Sequence, residues 1–197
     1  FAIMIIDIMR VMNIKTVLQN LIPDPNSHKG QSGKVMVIGG SDLFHAASKW
    51  SLDVLVRMVD MVFYSSTEEN NELVEAEMNK EAKGEFWGGI VVSRAEMERY
   101  IEEADVVLIG PGMTRSLETA ELCDRLMTKY PEKKWVIDAG ALQMGKVGLF
   151  PERAILTPHE GELGRLRERA KEMKSGIVIL VKGQVDQIFE VKKNNSE

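Results

Sequence analysis

Five short segments place residues with chemical potential directly after runs of apolar residues. They read GGS at 39–41, GPG at 110–112, DAGA at 138–141, TPH at 157–159 and KG at 182–183. Glycine lets backbone amides approach an anion or a planar ring, and lysine is a compact cation suited to phosphate. Open parallel sheets bind ligands beyond the carboxyl ends of their strands. The pattern therefore predicts one site at which these segments converge.

The segment ILTPHEGEL joins an apolar run to a helical pattern. Thr157 as helix cap, Pro158 at the first helical position and Glu160 three residues after the cap would form a capping box, which needs no ligand. Capping does not require His159 or Glu162, so both are candidates for function. We expect His159 to face the same crevice as the glycine loops. Glu162 would lie near it, able to bind a water on Mg²⁺.

Each of the other segments also has an explanation without a ligand. Tight turning accounts equally well for Gly40, Asp138 is as suited to capping a loop as to chemistry, and a lysine such as Lys182 is usually solvated. Gly112 lies in a rigid GPG loop that lets backbone touch a ligand. Neither G-x-G-x-x-G nor G-x-x-x-x-G-K-[ST] occurs, which excludes the two commonest nucleotide signatures.

The elements that must position these residues alternate between short β-branched runs and longer helical patterns, which is typical of βαβ units. Strands are predicted within 35–40, 61–66, 88–93, 105–112, 134–141, 154–159 and 176–183, and helices at 46–60, 70–81, 94–104, 116–130 and 160–174. Continuously apolar strands predict an α/β fold with a mostly parallel central sheet and helices on both faces.

The helix predicted at 46–60 is apolar on more than one side. Trp50, Val54 and Met58 lie on one face, and Leu52 lies on another. We expect this helix to be buried on both faces, with one of them at a subunit interface. A homo-oligomer is the resulting hypothesis.

Composition limits the class of protein. The 197 residues, 44% hydrophobic, suit one α/β domain at 28–197 after an N-terminal extension at 1–27. A net charge of -5 without a basic stripe excludes a nucleic-acid partner, and the single Cys123 favours a reducing cytoplasm. The apolar first ten residues are interrupted by Asp7 and Arg10 and are too short to span a membrane.

A set of motifs between about His28 and Gly183 carries a family resemblance. In order they read HKGQSGKVMVIGGSDLFHAA, ADVVLIGPGM, WVIDAGAL, ILTPHEGEL and VKG. Together they resemble the ADP- or ATP-dependent NAD(P)H-hydrate dehydratases, whose domain has the ribokinase-like fold. The resemblance implies a lyase that uses a nucleotide and Mg²⁺ to repair hydrated nicotinamide cofactors.

The resemblance also implies a substrate site. Ala47, Gly112 and His159 would contact the hydrated dinucleotide, with Gly40 in the neighbouring loop. Asp138 would be among the polar residues that surround the phosphates.

A nucleotide site is implied at the end of the last matched strand. There Lys182, Gly183 and Gln184 would contact ADP or ATP, and Glu162 would be near the metal ion.

One family feature has no counterpart. Members carry a late Gly-Thr-Gly-Asp segment whose amides form an anion hole and whose aspartate activates the acceptor hydroxyl, but no G-x-G-D occurs here. We therefore expect a C-terminally shortened domain: part of a longer enzyme, a shortened relative, or a chain whose site a neighbouring subunit completes. A catalytically silent nucleotide-binding homologue and a small-metabolite kinase are the alternative functions.

Overall fold

The computed structural model describes residues 3–7, 22, 25–81 and 89–193. Its strands are β1 (Ile3–Asp7), β2 (Lys34–Ile38), β3 (Met61–Ser65), β4 (Ile90–Val91), β5 (Val106–Ile109), β6 (Lys134–Ile137), β7 (Ile155–Leu156), β8 (Val178–Val181) and β9 (Gln187–Lys193). Its helices are α1 (Ala46–Leu55), α2 (Glu68–Glu81), α3 (Met97–Glu103), α4 (Leu117–Lys129), α5 (Ala139–Met144) and α6 (Glu160–Glu168).

The strands form one sheet in the order β1-β9-β8-β7-β6-β5-β2-β3-β4. All pairs between β2 and β8 are parallel, whereas β9 runs antiparallel to β8 and to β1. The predicted mostly parallel sheet is confirmed. The chain leaves β2 toward β3 and β4 and then crosses to β5 on the other side, so the strand order reverses between β2 and β5. Doubly wound sheets open a ligand crevice at such a point.

Helices cover both faces of the sheet, as predicted. Met36 of β2 belongs to a large core that also includes buried residues of α3 to α6. Its neighbour Val37 points the other way, into a smaller core with Leu52 of α1 and Val74 of α2. This alternation fixes the register of β2 between β5 and β3.

The segment 134–141 is a strand only in its first half, and DAGA follows that strand as expected. β6 ends at Ile137, and α5 begins at Ala139, whose φ is +42°. Asp138 is the residue before the helix and remains tied to β5, because its amide donates to the carbonyl of Ile109 at 3.0 Å. The turn places the Asp138 side chain at the sheet edge.

The last predicted helix and the last strands also differ from expectation. α6 ends at Glu168 instead of 174, and a 3₁₀ turn at 170–172 follows, which brings Met173 into the core. Strands β1 and β9 were not predicted. The strand expected over 154–159 is reduced to β7, with one further parallel bridge between His159 and Lys182.

The helix predicted at 46–60 is shorter than expected, and burial of its second apolar face at a subunit interface stays a prediction. The helix ends at Leu55, and among its apolar residues only Leu52 is fully covered. Trp50, Val54 and Met58 are 67%, 56% and 59% exposed. One face of α1 is therefore apolar and open to solvent.

The described part of the chain contains no helix with the length and apolarity that a bilayer crossing requires.

Candidate functional site

The loops after β2 and β5 touch each other where the strand order reverses. The Gly40 amide donates to the Pro111 carbonyl at 2.8 Å. A Cβ on Gly112 would lie 3.3 Å from the Gly40 Cα and 2.6 Å from the Phe44 carbonyl oxygen. The two glycine loops thus form one wall at the carboxyl edge of the sheet.

The loop after β5 packs equally closely against the end of β6. Gly110 has φ +117°, and a Cβ there would lie only 1.8 Å from the Asp138 carbonyl oxygen. Gly40 has φ +71°, and its Cβ would meet Ser66 Oγ at 2.2 Å. Packing alone therefore requires glycine at both positions. A ligand role for Gly40 stays a prediction.

The ends of β6, β7 and β8 bring a charged cluster together. Asp138 Oδ1 accepts hydrogen bonds from Thr157 Oγ1 at 2.7 Å and from Lys182 Nζ at 2.6 Å. The Lys182 amide donates to the Pro158 carbonyl at 2.9 Å, which fixes the lysine beside β7. The Asp138 and Lys182 side chains are 22% and 46% exposed, so both can be reached by a ligand. An exposed pair of this kind adds little stability.

Residues His159 and Glu162 cap helix α6, which corrects the predicted capping box of Thr157, Pro158 and Glu160. His159 Nδ1 accepts from the Gly161 amide at 3.0 Å, and Glu162 Oε2 accepts from the His159 amide at 3.0 Å. The cap lies two residues later than predicted, because Thr157 donates to Asp138 and Pro158 continues the extended chain. Both His159 and Glu162 therefore take part in capping, and their ligand roles stay predictions.

The side chains of His159 and Glu162 differ in their exposure to solvent. The His159 side chain is 60% exposed, whereas that of Glu162 is 7% exposed. Glu162 Oε1 accepts from Gln143 Nε2 at 2.5 Å, so both of its oxygens have protein partners. No group of three potential metal ligands from histidine, cysteine, aspartate and glutamate occurs within 3–7, 22, 25–81 and 89–193.

Three further predicted residues lie outside this cluster of contacts. Gly183 is in an exposed turn in which its amide donates to Asp186 Oδ1 at 3.1 Å, and Gln184 is exposed beside it. Ala47 is half-buried in the first turn of α1, next to the glycine loop in sequence. In the structure Asp138, His159 and Lys182 therefore lie close together, and Gly40 contacts Gly112.

Sequence reasoning missed Arg94, which follows the short strand β4 and lines a cavity of about 320 Å³ beside the glycine wall. Other lining residues are Gly40, Ser41, Asp42, Leu43, Thr67, Met113, Thr114, Ser116, Glu118, Thr119 and Leu122. Burial lowers the Arg94 pKa to about 10, which still leaves a cation at neutral pH. The one feature of the sequence that could have indicated Arg94 as a site residue is its position shortly after a predicted strand.

Comparison with solved structures defines the class of fold. A ribokinase-like superfamily protein from Enterococcus faecalis matches 89% of this chain and 66% of its own, with a TM-score of 0.72 and 22% identity. A Bacillus subtilis ADP/ATP-dependent NAD(P)H-hydrate dehydratase, co-crystallized with ATP/Mg²⁺, matches 85% of this chain and 64% of its own, with a TM-score of 0.62 and 24% identity. The chain therefore has the ribokinase-like α/β fold.

The family follows from the sequence. The family model described as NAD(P)H-hydrate dehydratase matches residues 35–196, so the chain belongs to that carbohydrate-kinase-like family. The bifunctional NAD(P)H-hydrate repair enzyme Nnr of Archaeoglobus fulgidus is 33% identical over 87% of this chain and 38% of its own length. The ADP-dependent (S)-NAD(P)H-hydrate dehydratase of Lactococcus lactis is 31% identical over 71% and 50%.

The matched share of the relatives is limited. The chain spans about a third of the curated repair enzymes that it matches, with 34% of the Methanocaldococcus jannaschii protein covered at 32% identity over 84% of this chain.

Proposed function

We propose that the protein carries out the ADP- or ATP-dependent dehydration of hydrated NADH and NADPH. One observation supports this most: in a member of the family, Asp138 and Lys182 meet at 2.6 Å on the same sheet edge as the glycine wall. A cationic group beside a carboxylate and exposed backbone suits a phosphate-bearing ligand and its metal ion.

The nucleotide part of the proposal uses the end of β8. Lys182 has three donor hydrogens, so it can retain Asp138 while donating to a phosphate oxygen. Gly183 and Gln184 follow in an exposed turn that a nucleotide can reach. ADP or ATP would therefore lie over the ends of β7 and β8.

The dinucleotide part of the proposal uses the glycine wall and the exposed imidazole. Gly40 and Gly112 leave backbone close to the crevice, and Ala47 lies in the helix that follows the first of these loops. His159 keeps its side chain 60% exposed although its Nδ1 caps α6. Its Nε2 lies 3.6 Å from Glu162 Oε2, which is longer than a hydrogen bond, so it can donate to a substrate oxygen.

A Mg²⁺ ion at this edge would need ligands from water and substrate in addition to those from the protein. Asp138 is partly exposed, so we propose that it would hold the ion directly. Both Glu162 oxygens already accept hydrogen bonds, so Glu162 would contribute only through a water on the ion. Mg²⁺ usually keeps several waters and takes its other ligands from substrate phosphates. When bound, it would neutralise charge on the transferred phosphoryl group.

The proposed reaction balances in two steps. The terminal phosphoryl group passes from the nucleotide to the ring hydroxyl of the hydrate, which gives AMP from ADP, or ADP from ATP. The hydroxyl group loses its proton as the O–P bond forms. The nitrogen lone pair of the ring then expels the phosphate as the C–O bond breaks, and the neighbouring ring carbon loses a proton to form the ring double bond of NADH or NADPH. This chemistry depends on positioning and on charge stabilisation, which Lys182 and the glycine loops would provide.

A spectroscopic assay tests the function. The protein is incubated with hydrated NADH, Mg²⁺ and either nucleotide, and recovery of the reduced-ring absorbance is followed. We expect recovery that depends on nucleotide. Binding of both ligands by calorimetry without recovery would favour the silent homologue. Phosphorylation of a small hydroxylated metabolite instead would favour the kinase.

A pair of variants at His159 separates cap from ligand contact. Asparagine is a good helix cap, so His159→Asn should keep the stability of α6 while losing the imidazole. We expect it to weaken dinucleotide binding, and His159→Ala to weaken binding and also lower stability by about 1 kcal/mol. Unchanged dinucleotide affinity in His159→Asn would show that the imidazole acts only as a cap.

We also propose that the protein is a cytoplasmic homo-oligomer. The open apolar surface formed by Trp50 and Val54 of α1 and by Met58 in the turn after it supports the assembly. Sedimentation at several protein concentrations tests it, and a monomer throughout would refute it.

A further inference from the structure

We propose that the cavity lined by Arg94 is a phosphate-binding subsite, in which the guanidinium is the anchor and hydroxyl groups complete the contacts. The assignment of that phosphate to the dinucleotide substrate rests on the proposed function. The subsite itself does not, because it follows from the chemistry of the cavity.

Arg94 is a half-buried cation that forms no ion pair with an acid in the part of the chain that the structure describes. Its Nη2 donates to the Gly39 carbonyl at 3.0 Å, which holds the guanidinium under the glycine wall. Its Nη1 is buried and finds no hydrogen-bond partner among the described residues, none of whose ion pairs involves Arg94. A buried charge without compensation is costly, so a ligand anion would remove a cost that the free protein bears.

The surroundings add donors. Ser41 Oγ accepts from the Phe44 amide at 3.2 Å and Thr67 Oγ1 accepts from the Asn70 amide at 3.4 Å, so each hydroxyl proton is left to donate. Both residues line the cavity with Arg94. A phosphate group with several acceptor oxygens matches one guanidinium nitrogen and several hydroxyl donors.

Two helices direct their amino ends at the cavity. Thr67 immediately precedes α2, and Ser116 is the cap of α4, with its Oγ accepting from the Thr119 amide at 3.2 Å. Both helices are longer than three turns, so their dipoles favour negative charge there. Two acids, Asp42 and Glu118, also line the cavity, but both are exposed at its mouth. The charge at the buried end is positive.

Calorimetric titration of the full chain with inorganic phosphate, ADP and NADH tests the subsite. We expect Arg94→Gln to weaken phosphate and NADH binding by about tenfold or more, and Arg94→Lys to weaken it less. Asp42→Asn should tighten both, because it removes a repulsive charge at the mouth. Arg153→Gln, the same change at the opposite sheet edge, should alter neither affinity.

Competition identifies the source of the phosphate. Displacement of inorganic phosphate by NADH would assign the subsite to the dinucleotide, whereas displacement by ADP alone would assign it to the nucleotide and overturn the dinucleotide assignment. Equal phosphate affinity in wild type and folded Arg94→Gln, or no effect of Asp42→Asn, would overturn the subsite. Turnover of hydrated NADH with unchanged Arg94→Gln affinities would leave the proposed function intact and remove only this inference. Arg94-dependent phosphate binding without turnover of hydrated NADH would support the subsite and remove the proposed function.

Discussion

Replacing Glu162 by glutamine tests whether this residue holds the fold or a metal ion. Its two oxygens accept from Gln143 Nε2 at 2.5 Å and from the His159 amide at 3.0 Å. Glutamine keeps one acceptor oxygen but places an NH₂ group against the other donor, so one charge-assisted bond is lost. Such a bond contributes about 1.5 to 3 kcal/mol. We therefore expect the free energy of unfolding to fall by about 2 kcal/mol.

Urea denaturation followed by circular dichroism provides the measurement. Glu160→Gln is the matched control, because Glu160 lies in the same helical turn but is exposed. It shares the interaction with the helix dipole and should change stability by at most about 0.5 kcal/mol. Equal stability of the Glu162→Gln and Glu160→Gln proteins would refute the capping argument. An unchanged fold with lost Mg²⁺-dependent nucleotide binding would assign Glu162 to the metal ion.

Three other predictions follow from packing and burial. Gly110→Ala should destabilise the protein by more than about 2 kcal/mol in the same denaturation assay. Gly164 lies in open space on α6, so Gly164→Ala should stabilise the protein by about 0.5 to 1 kcal/mol. Similar effects of the two substitutions would contradict the close approach at Gly110. Burial raises the Cys123 pKa to about 12, so its reaction with a thiol reagent at pH 8 should be negligible in the folded protein. The reaction should become faster as pH rises and rapid in denaturant. Fast labelling of the folded protein at pH 8 would contradict this burial. Trp50→Glu should reduce the sedimenting mass toward that of the monomer, and an unchanged mass would exclude this face from the interface.

The parts of the fold that depend on hydrophobic patterning could be predicted from the sequence. The apolar run of β2 with its alternating faces, and the amphipathic α4, are strong local signals. The end of β6 was not predictable in the same way. Whether the chain turns at Asp138 depends on the close approach of Gly110, which is 28 residues away.

In the candidate site, too, features set by local sequence could be predicted and features set by long-range contacts could not. The sequence correctly placed Asp138 and Lys182 after strands, but their 2.6 Å contact depends on the sheet order. The cap of α6 was predicted at Thr157, two residues too early, because the pattern allowed two cap positions and only the pairing beyond β7 selects the second. Arg94 was missed, because nothing in its neighbours indicates that it reaches Gly39 across the sheet.

Calorimetric titration of ADP with Mg²⁺ tests most directly whether the edge at Asp138 and Lys182 binds phosphate. The comparison is between wild type, Lys182→Gln and Lys171→Gln, the last being an exposed lysine ahead of β8 at the opposite edge. We predict measurable binding to wild type and Lys171→Gln, and affinity reduced by about tenfold or more in Lys182→Gln. Absence of binding to the wild-type protein, or equal affinities in all three, would contradict the account.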